Sequence, residues 1–86
     1  MDQRQLRALV AVGEHHSFSA AAKSLHTVQS NISTHVSRLE NELGVILVDR
    51  ATTELTEEGR VVVERARRID HEFAALASDI AAMRDV

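Results

Sequence analysis

The side chains best suited to proton transfer or metal ligation in this sequence are five histidines, at positions 15, 16, 26, 35 and 71. Their spacing supports neither chemistry. His15 and His16 are adjacent, so on a helix their rings diverge by about 100°. No acid stands where it could orient His26 or His35 as a base. Cysteine is absent, which removes thiolate ligands, a cysteine nucleophile and any disulfide framework. Neither catalysis nor a metal site is expected. Groups that hydrogen-bond without titrating are better organised. Gln29, Ser30, Ser33, Thr34, Ser37 and Asn41 share one side of a segment whose other side is Ile32, Val36, Leu39 and Leu43. His26 and His35 lie beside that face as turn and surface groups able to donate to an anion.

Charge indicates what such a face could meet. The formal net charge is -3, which over the whole chain argues weakly against a polyanionic partner. Yet no Asp or Glu occurs from His15 to Leu39, where a uniform spread of the 13 acidic residues would place about four. The same window holds Lys23, Arg38 and four of the histidines. A solvated face ordinarily carries both signs, whereas a helix laid against phosphates excludes carboxylates. The pattern favours duplex DNA over a plain Ser/Ala-rich stretch without a partner.

The elements that must position this face follow from apolar spacing. Eighty-six residues support one core. A 44% hydrophobic content with only 2% aromatic residues fits a mainly α protein. Proline is absent, and glycine occurs only at 13, 44 and 59, so each glycine is punctuation. Leu6, Leu9, Val10 and Gly13 predict an amphipathic helix from about Asp2 to His16. Ser17 is a capping residue and Phe18 a core anchor for the next turn, and Ala20 to Leu25 read as a short second helix. His26-Thr27-Val28 makes a tight connection to a third helix, about 29–43, that ends near Gly44. Two short helices so joined make a helix-turn-helix. Val45 to Val48 is a β-branched run that Glu54-Leu55 could meet antiparallel through residues 50–53, giving a small two-stranded wing. Thr56 before Glu57-Glu58 is an N-cap with acids in the first turn of a last helix.

That last helix carries the most regular pattern in the chain. Val62, Ala66, Ile69, Phe73, Leu76, Ile80 and Met83 alternate steps of four and three, as in a coiled-coil seam. A helix of roughly 30 residues spans about 45 Å, beyond the reach of so small a body. A second copy covering the stripe makes a homodimer, the alternative being that the helix folds back on its own core. Arg65, Arg67 and Arg68 interleave with Glu64, Asp70 and Glu72 as solvated pairs. The division is therefore a winged helix-turn-helix at 1–56 and a dimerisation helix at 57–86. No run approaches the roughly 20 apolar residues of a membrane span, and the amino terminus lacks a signal-peptide pattern, so a cytoplasmic protein without a membrane partner is expected. From the residues alone, a dimeric helical module that binds another protein through its polar face remains the rival to DNA binding.

The blocks Leu6 to Val12, Ser17 to Ala22, Leu39 to Val45 and Leu55 to Gly59, in this order and spacing, resemble the amino-terminal domain of LysR-type transcriptional regulators across the whole chain. The resemblance implies a third helix in the DNA major groove, a wing on the backbone and a linker helix pairing antiparallel with its counterpart. Family members also have a carboxy-terminal domain that binds a small effector and builds tetramers. This chain is thus expected to be part of a longer regulator and to hold no cofactor itself. Carried over by position, Thr27, Gln29, Ser30, Ser33 and Thr34 are DNA contacts. Gln29 suits a bidentate bond to adenine, and Lys23, Arg38 and Arg50 suit phosphates. The operator implied is an interrupted inverted repeat with T and A at its ends. The sequence departs from the family at Val28, where Ser is common, at Ser30, where Pro is common, and at Thr34, where Arg is common. Capping of the third helix then falls to Thr27 or Ser30. Glu54 also stands where the family's wing is often basic.

Overall fold

The computed structural model describes residues 1–84 and orders them as four helices and one small hairpin. Helix α1 spans Gln3–His15, with Asp2 as N-cap accepting the Gln5 amide at 3.0 Å. It ends where His16 enters the left-handed region (φ 52°) and returns its amide to Val12 O. Leu6, Ala8, Leu9, Ala11 and Val12 form its buried face. Helix α2, Phe18–Ser24, starts two residues before the expected Ala20, because Ser17 Oγ accepts the Ala20 amide at 3.1 Å and fixes the helix start there. Its Ala21 and Ala22 are small enough to let α1 approach, and Phe18 packs half-buried against the core.

After a tight connection with His26 at φ 57°, helix α3 runs Gln29–Leu43 and stops at Gly44, whose φ of 71° is the left-handed C-cap that glycine adopts without strain. Ile32, Val36 and Leu39 anchor it. The wing is shorter than the apolar run suggested. Strand β1 is Val48–Asp49 and strand β2 is Glu54–Leu55, antiparallel with Val48 opposite Leu55. Val45 to Leu47 lie outside the two-residue ladder because the Leu47 amide is diverted to Glu40, although Leu47 still meets Thr56 in the same register. The Leu47 amide donates to Glu40, and Leu47 O accepts the Thr56 amide at 3.0 Å. Leu47 and Val48 are instead core residues.

Helix α4 occupies Glu57–Arg84. Thr56 Oγ1 accepts the Gly59 amide at 3.0 Å and donates its own proton to Ile46 O at 2.6 Å, which ties the helix start to the wing. Gly59, Val63 and Ala66 are buried, so the compact body continues past residue 56 and includes the first three turns of α4. Beyond them the helix projects, giving overall extents of 53 × 25 × 19 Å. Two outer-face residues expected to be merely solvated reach α1 instead. Asp70 accepts from Gln3 Nε2 at 2.7 Å and lies 3.6 Å from Arg7 Nε, while Arg67 pairs with Glu14 at 3.4 Å. Each exposed contact is weak. Among the described residues no helix is long and apolar enough to cross a membrane.

Candidate nucleic-acid interface

With Ile32, Val36 and Leu39 turned inward, α3 leaves Gln29, Ser30, Ser33, Thr34, Arg38 and Asn41 exposed, with Ser37 half-buried. Lys23 is exposed on α2, and Thr27 is half-buried in the connection. The structure thus brings Thr27, Gln29, Ser30, Ser33 and Thr34 together around the first two turns of α3.

The start of α3 differs from expectation. Val28 is the N-cap residue, in extended conformation, and makes no side-chain capping bond. Thr27 does not cap, because its Oγ1 instead accepts Asn31 Nδ2 at 2.8 Å. Ser30 does not cap either, since it lies inside the helix. Omitting a cap costs about 1 kcal/mol. The Asn31 amide turns to Val28 O at 3.1 Å, and the Gln29 and Ser30 amides at the positive end of the helix dipole are left without a capping side chain. No acid lies in the first turn of α3.

Arg50, expected as a phosphate contact, is held within the protomer. Its Nη1 donates to Glu40 Oε2 at 2.9 Å and to Val48 O at 2.9 Å, and its Nη2 donates to Glu40 Oε1 at 2.8 Å. The guanidinium carbon stands 5.4 Å from the centre of the Phe18 ring. Glu40, only 8% exposed, also accepts the amides of Leu47 at 2.7 Å and Val48 at 3.2 Å. Burial pushes the Glu40 carboxyl up, but the Arg50 bond and the two amides outweigh it and hold the group below its ordinary value. Arg50 and Glu40 therefore lock the wing to the back of α3. Sequence reasoning overlooked Glu40, although a signal was present: it stands four residues after Val36 and three before Leu43, an acid on the apolar stripe.

The wing adds little positive charge. Asp49 and Glu54 are exposed on it, with Asp49 Oδ1 occupied by the Ala51 amide at 2.8 Å. The seven-residue stripe of α4 divides in two. Val62 and Ala66 pack into the protomer's own core, Ala66 at 5% exposure. Ala66 is covered by its own protomer, where α1 lies against this part of α4, while Val62 keeps part of its surface exposed. Ile69, Phe73, Leu76, Ile80 and Met83 are 40, 57, 65, 50 and 71% exposed along the projecting part. Among the described residues no group of three or more His, Cys, Asp or Glu is placed to hold a metal ion.

Residues 3–60 match the family described as bacterial regulatory helix-turn-helix protein, lysR family. The chain is 36% identical over 88 residues to the HTH-type transcriptional regulator BsdA of Bacillus subtilis (strain 168), covering 99% of this chain and 30% of that protein. It therefore spans about a third of that relative's length. Two solved structures share its fold closely. One is a BenM_DBD/benA site 1 DNA complex, with TM-score 0.91, 32% identity and 96% of both chains covered. The other is a CbnR_DBD-DNA complex, with TM-score 0.84, 38% identity and both chains covered in full.

Proposed function

The chain belongs to the lysR family of bacterial regulatory helix-turn-helix proteins, and from this we propose that it binds duplex DNA sequence-specifically, as a homodimer, to regulate transcription. One observation carries the reading: a carboxylate-free polar face on α3, anchored from behind by Ile32, Val36 and Leu39, with an uncapped helix start at its tip. That face lies in the major groove. Gln29 reads adenine, while Ser30, Ser33 and Thr34 reach base edges or phosphates. Thr27, Lys23 and Arg38 hold the backbone and fix register. Arg50 acts through Glu40 by setting where the wing sits.

Five exposed apolar residues from Ile69 to Met83 supply the dimer contact. At about 1.5 to 3 kcal/mol for each large side chain buried, two such stripes exceed an association cost at the low end of its range. Each subunit offers few cations, so two half-site contacts reinforce one another through high effective concentration. The chain itself performs no catalysis and holds no cofactor. Effector binding and tetramer assembly belong to the remainder of a longer regulator that works in the cytoplasm. The test is selection of bound sites from random duplexes by a sample shown to be dimeric. Enrichment of an interrupted inverted repeat with T and A at its ends, its half-sites about one helical turn or a multiple apart, supports the reading. Enrichment of no sequence would favour the protein-binding alternative.

A further inference from the structure

Val28 is the one apolar side chain at the tip of the surface assigned above to DNA. It is 60% exposed, directly precedes Gln29, and occupies the cap position of α3 with no side-chain capping bond. A Ser, Thr, Asp or Asn there would satisfy a first-turn amide. This chain places a β-branched hydrocarbon in water instead. On one flank Asn31 Nδ2 donates to Thr27 Oγ1, and on the other Gln29 opens the polar row. The leading residues of a recognition helix are those that reach base edges. In the major groove the C5-methyl of thymine is the base-pair feature that rewards an apolar contact. The stiff χ1 of valine also means that little rotamer freedom is lost when its methyls are pressed against another surface.

We propose that Val28 is a specificity-determining residue, whose γ-methyls pack against the C5-methyl of a thymine next to the base addressed by Gln29. The inference rests on the DNA-binding reading, and its test separates the two. Duplexes selected from a random pool by the 86-residue chain are resynthesised with deoxyuridine replacing one thymine at a time. This deletes the methyl and leaves every hydrogen-bonding group in place. One position per half-site should weaken the unaltered protein about fourfold, the fold-change matching one methyl group's transfer from water. Val28→Ala and Val28→Ser should bind thymine and deoxyuridine duplexes equally at that position, while Val28→Ile keeps the discrimination. Unchanged affinity at every substituted thymine, or undiminished discrimination in both Val28→Ala and Val28→Ser, overturns the role of Val28 and leaves DNA binding intact. Failure to enrich any duplex removes both.

Discussion

Replacing Arg50 with Met keeps an apolar stem over Phe18 but deletes both guanidinium bonds to Glu40. The carboxylate, with its side chain 9% exposed, is left on two backbone amides. Breaking a fully buried ion pair costs about 3 to 5 kcal/mol. Arg50 is itself 44% exposed, and the bonds from Leu47 and Val48 survive, so the expected loss is smaller, about 2 to 3 kcal/mol. For a domain of this size that lowers the melting temperature by about 10 to 20 °C. The comparison is made at one protomer concentration, because dimerisation adds to apparent stability. Acid should narrow the difference. In the unaltered protein the Glu40 carboxyl titrates below its ordinary value of 4.5, so its contribution is complete above that pH and fades as pH falls through the lower folded value. In Arg50→Met the guanidinium bonds that help hold the carboxyl down are gone, so it takes up its proton at higher pH than in the unaltered protein, and the two proteins converge as pH falls from neutral through 4.5 and below. A loss below about 0.5 kcal/mol, within the range of an ordinary surface substitution, or a difference that stays constant over that pH range, refutes the clamp.

Three further outcomes follow from the same structure. Phe73→Asp or Leu76→Asp should sediment as a monomer and lose operator binding together; variants that remain dimeric would show that the interface lies elsewhere. Gly59→Ala should unfold at markedly lower denaturant concentration, since a Cβ there meets the backbone carbonyl of Leu47, whereas Gly13→Ala meets the end of the Leu55 side chain, which can shift, and should cost less; equal midpoints contradict this packing. Gln29→Ala should weaken a selected site by about 1 to 3 kcal/mol and leave binding to unrelated duplexes nearly unchanged; an equal loss on both would make Gln29 a backbone contact.

Much of this was legible in the spacing of residues. The apolar period located α1, α3 and α4, and the acid-free window marked the face of α3 that carries the proposed contacts. What escaped was decided by pairing at a distance. Val45 to Leu47 look like a strand by side-chain type, but the Val45 amide turns back to the Glu40 carbonyl and the Leu47 amide to the Glu40 carboxylate. Arg50 looks like a free cation, but its partner lies ten residues upstream and half-encloses it. The α4 stripe keeps one period through Val62 and Met83, and a period cannot distinguish burial against α1 from burial against a second copy. The missing cap at Val28 escaped for a different reason, since Thr27 had an equally local partner in Asn31.

The most direct test of the account is the affinity of a dimeric sample for a selected duplex as salt is raised. With Lys23 and Arg38 on phosphates in both protomers, the logarithm of the binding constant should fall linearly with the logarithm of salt concentration, with a slope of about -4. A slope near zero, or no duplex binding by a sample that sediments as a dimer, would contradict it.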